Sequence, residues 1–175
     1  MNRNKPEKWV GVSGSWRATC AELEEDLKRE VSEALAEGKG IVTGGALRVD
    51  FEATEIALRQ YPDGSHIKVI LPTTLKTYSA HYRKRADEGI ITHGQAEVLI
   101  GQLERVNKLG SLIVDARQNE VNVKTYYLRN AEVVNASDEL LAFQVNNSSG
   151  TQDTINKAKE KGIPVKVFNY TVEAS

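Results

Sequence analysis

The chain has 175 residues, enough for one domain with a full core. Apolar residues make up 40% and charged residues 27%, and the net charge is −1, so no global field draws in a polyanion and any such site must be local. A single cysteine, Cys20, excludes an internal disulfide and a cysteine-rich zinc site and fits a reducing cytoplasm. His66, His81 and His93 show no metal-ligand spacing, so no metal is expected. Residues 1–8 form a polar tail unlike a signal peptide, and no apolar run approaches the roughly 20 residues that span a bilayer. A cytoplasmic protein without membrane contact is expected.

Trp9 to Val12 reads as a first strand. Thr19 and Glu22 have capping-box form, and Leu23, Leu27, Val31 and Leu35 recur at helical spacing until Gly38 and Gly40. Residues 41–43 form a second strand, cut off by Gly44-Gly45, and Asp50 is placed to cap the helix behind it. After a Tyr61-Pro62-Asp63-Gly64 turn, residues 67–71 form a third strand. Residues 78–88 look helical and carry Arg83-Lys84-Arg85, which is either a solvated face or a nucleic-acid contact. A helix over 92–109 puts Val98, Leu99, Leu103 and Val106 on one face. Leu112 to Val114 is a short strand or a packed link, and 123–134 is helical. Residues 140–144 form a strand, Thr151 opens a helix running to Lys161, and 164–168 is the last strand.

Strands alternating with helices predict a three-layer α/β/α Rossmann-like domain over residues 9–170, with five or more mostly parallel strands covered on both faces. A helical insertion is expected at about 73–110.

Three turns follow strands and precede helical patterns: Ser13-Gly14-Ser15, Gly44-Gly45-Ala46, and Ser149-Gly150-Thr151. Backbone N–H groups at a helix N-terminus attract an anion, glycine permits close approach, and hydroxyls add donors. Each turn also has a plain reading, since a tight strand-to-helix connection needs glycine with nothing bound. Together at neighbouring strand ends they would feed one crevice.

The order of these motifs, with Arg129-Asn130 and Ser137-Asp138 between them and Gly162-Ile163-Pro164-Val165 after them, resembles the SLOG superfamily. That group includes the Smf/DprA DNA-processing proteins, the LOG phosphoribohydrolases and YpsA-like proteins, and the similarity is greatest to the DprA Rossmann-like core. It spans about residues 9–45 and 126–168; residues 72–120 show no resemblance. The resemblance implies a nucleotide or nucleic-acid phosphate site formed by Ser13, Gly14, Ser15, Gly44, Gly45, Ala46, Ser149, Gly150 and Thr151, with Arg129 and Asn130 facing the ligand. Where the DprA pattern has Arg after Gly-Ser, this chain has Trp16, a base-stacking candidate or a core residue, and Arg17 follows as the phosphate-binding candidate that would reach round to the ligand.

LOG enzymes carry a Glu three residues after the Thr of the late turn; here that position is Thr154. The phosphate-cradling half of the motif remains and the catalytic half does not, with Asp50, Glu52 and Asp115 as substitute carboxylates that no spacing selects. A nucleotide-binding protein needing no cofactor is the favoured reading. The rivals are a nucleoside-monophosphate N-glycosidase and a DprA-like single-stranded DNA binder. A homodimer is left open.

Overall fold

Alternation along the strands decides which helices cover which face of the sheet. The computed structural model describes residues 5–173, so residues 1–4 of the polar tail lie outside it. The strands are β1 (Trp9–Gly14), β2 (Gly40–Thr43), β3 (Ile67–Leu71), β4 (Leu112–Val114), β5 (Glu139–Val145) and β6 (Val165–Tyr170). The helices are α1 (Ala21–Ala36), α2 (Val49–Gln60), α3 (Leu75–Asp87), α4 (His93–Lys108), α5 (Val123–Asn135) and α6 (Ser149–Lys161). All strand pairs are parallel, in the order β4-β3-β2-β1-β5-β6, which gives the three-layer Rossmann-like architecture. Val10, Val12, Ile41, Val69, Leu141 and Phe143 point to one face, where they pack with α1, α2, α3 and α4. Val42, Ile70, Leu140 and Ala142 point to the other, against α5 and α6.

Coverage on both faces holds for the four inner strands but not for the edges. Ile113 and Val114 on β4 are 44% and 41% exposed, and Val167 on β6 is 36% exposed. Residues 112–114 are thus a true strand at one edge. Residues 73–110 contain α3 and α4, which together make the crossover from β3 to β4. Along α4, Leu99, Leu103 and Val106 are buried as the spacing predicts, whereas Val98 is 59% exposed, because it lies one position and about 100° round the helix from Leu99.

Three helix starts differ from the sequence reading. α1 begins behind Cys20, and the Thr19 hydroxyl donates to Glu24 instead of capping. α2 has Arg48 at its N-cap, at φ 64°, with Asp50 already inside the helix. α6 begins behind Ser148, two residues before Thr151.

α5 and α6 are fixed to each other by polar ties. Lys161 Nζ donates to the carbonyls of Val134, Asn135 and Ser137 at 2.9–3.0 Å, where an ammonium satisfies the orphan acceptors at the end of α5. Gly11 lets α5's end approach β1, since a Cβ there would sit 2.5 Å from Ser137 Oγ.

Two glycine substitutions should act in opposite directions. Gly45 has φ +69°, and a Cβ would meet Leu71 at 2.5 Å, so Gly45→Ala should destabilise by about 2–4 kcal/mol from backbone strain and overpacking together. Gly101 lies inside α4 with open space around it, so Gly101→Ala should stabilise by about 0.5–1 kcal/mol. Urea denaturation of both variants checks the pair.

Candidate functional site

The first turn is built differently from a glycine loop. Ser13 and Gly14 still belong to β1, and α1 starts only at Ala21. A Cβ on Gly14 would fall 2.7 Å from Val49 methyls, so this glycine serves the packing of β1 on α2. Ser15 is buried, and its hydroxyl accepts from the Arg17 and Ala18 amides at 3.3 and 3.1 Å, folding the loop onto itself. Trp16 is half-buried against the core, and exposed Arg17 lies over its ring at 4.6 Å.

The second turn already holds a carboxyl group of the chain itself. Asp50 Oδ2 accepts from the Gly44 and Ala46 amides at 3.1 and 3.2 Å. The donors expected to meet a phosphate there are therefore occupied by the chain's own carboxylate. Gly44 leaves room for Arg129, whose guanidinium would lie 2.6 Å from a Cβ and donates to the Gly44 carbonyl. Gly45 faces away from the crevice: its carbonyl accepts from buried Tyr78 at 3.0 Å, and its left-handed φ directs it at Leu71. Burial pushes the Asp50 carboxyl above its ordinary pKa, opposed by the Arg129 charge and by the two amides.

Asn130 orients this arrangement. Its Oδ1 accepts from Arg129 Nε at 3.2 Å, and its Nδ2 donates to Asp153 at 3.1 Å and to the Gly150 carbonyl at 3.4 Å. Buried and engaged on both sides of its amide, Asn130 clips α5 to α6. Asp153 is also paired with Lys157 at 2.5 Å.

The third turn keeps its donors. Asn146 and Asn147 both take positive φ and aim the chain into α6, leaving Ser149, Gly150 and Thr151 as its first turn. The Ser148 hydroxyl bonds Thr151 Oγ1 at 3.0 Å and caps no amide, so the first N–H groups of α6 have no intrahelical acceptor. Ser149 and Gly150 are exposed, and Thr151 is buried.

These parts meet in a cleft of about 730 Å³ at the carboxyl ends of β1, β2 and β5, where the strand order reverses between β1 and β5. Ser13, Gly14, Ser15, Trp16, Arg17, Gly44, Ala46, Arg129, Asn130, Ser149, Gly150 and Thr151 line it, and Gly45 does not. Sequence reasoning missed its far wall: His81, Tyr82 and Arg85 of α3, Ile90 and Ile91 beyond it, and Tyr126 and Tyr127 of α5. The signal was available in the Arg83-Lys84-Arg85 cluster, which divides. Arg83 pairs with Glu97 at 2.9 Å, Lys84 lies 4.0 Å from Glu88, and Arg85 alone reaches the cleft. Arg17, Arg85 and Arg129 face a single lining carboxylate, Asp50. Glu52 and Asp115 lie outside the cleft, the latter paired with Arg117 at 2.9 Å. Thr154 does line it, donating to the Gly150 carbonyl at 3.2 Å. Among the described residues, no group of three or more His, Cys, Asp or Glu side chains could hold a metal ion, and no helix is long and apolar enough to cross a membrane.

The fold is that of the DprA Rossmann-like core. The structure of DNA processing protein A from Helicobacter pylori, described for its single-stranded DNA binding mode, superposes with a TM-score of 0.69 at 18% identity, over 93% of this chain and 65% of that one. DprA from Streptococcus pneumoniae gives 0.59 at 18% identity, over 96% of this chain and 51% of that one. The chain thus spans about half to two thirds of the length of these structures. No family model matches the sequence, and no curated protein matches it.

Asp50 gives a pH test of the second turn. Its folded pKa is raised above the ordinary 3.8, so its stabilising contribution is fully present below pH 3.8 and is lost as pH rises through the folded pKa. The unfolding free energy of wild type relative to Asp50→Asn should therefore fall as pH rises above 3.8, then level off. Denaturation of both proteins across a pH series would show this, and a difference that is flat or rises with pH would rule out a raised pKa.

Proposed function

We propose that the cleft binds the phosphate of a nucleotide or nucleotide-derived molecule. The observation that carries this reading is the charge balance of the cleft. Three arginines and the open N-terminus of α6 face one carboxylate, and that carboxylate is occupied by backbone amides. In a chain of net charge −1, such a local excess is a recognition feature. The phosphate belongs at Ser149 and Gly150 with the outer edge of Arg129, since the amides of Gly44 and Ala46 are engaged. A guanidinium suits it by donating parallel hydrogen bonds. The cleft volume falls within the range of small-molecule sites, about 300–1,000 Å³.

Recognition without N-glycosidic hydrolysis is the expected chemistry. Hydrolysis would call for a carboxylate beside the ribose, and the position that carries Glu in LOG enzymes has Thr154 bonded to the Gly150 carbonyl. A second reading, a single-stranded DNA segment laid across the same cleft, is supported by the fold shared with the Helicobacter pylori DprA and by the exposed Arg17 and Arg85 on the cleft lining.

Calorimetric titration with the common nucleoside monophosphates and with an oligothymidylate tests both readings. At least one monophosphate should bind. Arg129→Ala should weaken it by about 1.5–3 kcal/mol, the range for a hydrogen bond to a charged group. Because Arg129 also clamps Gly44, Arg17→Ala at an exposed side chain serves as a second variant, its folding checked by its melting curve, and it should weaken binding in the same direction. Chromatography after incubation should show no free base. Base release lost in Arg129→Ala would establish the glycosidase instead, and an oligothymidylate that binds more tightly than every monophosphate would establish the DNA reading.

A further inference from the structure

We propose that this cleft selects a purine with a carbonyl group at C6 over one with an amino group there, and that Arg85 is the residue that reads it. The inference rests on the nucleotide reading above and assigns the end of the cleft opposite the phosphate. α5 connects the two ends. Asn130 touches the Gly150 carbonyl at the α6 end, Arg129 lies over the Tyr126 ring at 5.2 Å, and Tyr126 OH meets His81 Nε2 at 3.5 Å at the α3 end. Asn130 lies four positions after Tyr126 on α5, a rise of about 6 Å. A nucleoside 5′-monophosphate with its phosphate held at α6 thus presents its base to His81, Arg85 and the apolar pair Ile90 and Ile91.

The nitrogen-bearing side chains of that wall offer donors, beside the phenols of Tyr82, Tyr126 and Tyr127, which can donate or accept. Arg85 carries five N–H groups and no acceptor. His81 is held toward its neutral form by burial, then by the Arg85 charge, with Glu88 opposing and Lys84 adding to the effect. When Tyr126 donates to His81 Nε2, the ring proton sits on Nδ1, a second donor. The one carboxylate of the cleft, Asp50, is spent on the Gly44 and Ala46 amides, and the amide side chains Asn130 and Asn146 belong to the α6 side. An exocyclic amine at C6 finds no carboxylate or amide acceptor there, only the phenol oxygens of Tyr82, Tyr126 and Tyr127, and it would set its N–H groups against those of Arg85. O6 and N7 of a 6-oxopurine match the guanidinium fork as a bidentate pair. Arg85 is free to turn toward a base, because its pairing with Glu88 at 3.3 Å is an exposed i,i+3 contact of little strength. The selecting residue lies on α3, within the stretch where the sequence resembles no SLOG motif.

Calorimetry of wild type and Arg85→Ala with GMP, IMP, AMP and ribose 5-phosphate tests this. Wild type should bind GMP and IMP at least tenfold more tightly than AMP. Arg85→Ala should reduce that preference at least fivefold while changing ribose 5-phosphate affinity less than twofold. Arg85 is a solvent-facing side chain, so the variant should fold, and its melting curve checks this. A wild-type preference below tenfold, a smaller fall in the variant, or an equal loss for ribose 5-phosphate overturns the assignment and leaves nucleotide binding standing. Failure of every one of these probes to bind wild type overturns both.

Discussion

Asp50 occupies the anion position of the turn after β2, and much of the site follows from that. A glycine turn that points two amides at one place demands negative charge there. The chain supplies it from α2, two residues into the helix, where the positive end of the helix dipole adds support. A buried carboxylate needs a countercharge, and Arg129 provides it from α5 across the sheet's edge while donating to the Gly44 carbonyl. Arg129 in turn needs a fixed direction, which Asn130 gives it, and Asn130 is held by α6 through Asp153 and Gly150. One charged contact thus ties together elements from both faces of the sheet.

This internal pairing moves the place where an external anion can bind. Had the Gly44 and Ala46 amides been free, a phosphate would sit beside β2. With them engaged, the free donors are on the β5 side, at the start of α6, and the arginine edges turned to the cleft. The switch point of the sheet still defines the crevice, as its topology requires. Only the arm of the crevice that offers donors changes.

The fold was largely legible because its periodicities are strong. β3 has the predicted bounds, and the inner strands and the apolar stripe of α1 lie where the patterns place them. Helix starts were harder to read, because Thr19, Asp50 and Thr151 each have the chemistry of a cap but find other partners. The site was half legible. Glycines mark tight places, but sequence does not say what fills them. Val49 fills the space at Gly14 and Arg129 the space at Gly44, while Gly45 turns toward Leu71. The α3 wall was not legible, since His81 and Arg85 become neighbours of Tyr126 only through the packing of a crossover whose sequence carries no familiar motif.

That crossover is anchored in a way that explains its polar interior. Tyr78 and Tyr82 are buried side chains whose phenols would be costly without partners. Tyr78 donates to the Gly45 carbonyl, and the two phenol oxygens lie 3.4 Å apart, with the rings edge-on at 5.0 Å. Burial holds both phenols well above their ordinary pKa, so they stay neutral. α3 is therefore fastened to the same turn whose amides hold Asp50. The carbonyl of Gly44 goes to α5 and the carbonyl of Gly45 to α3, so the two helices that wall the far end of the cleft take their positions from adjacent peptide groups. A change in this turn would be felt at both walls, which makes the Gly44-Gly45 pair a positioning element for the cleft even though Gly45 never faces it.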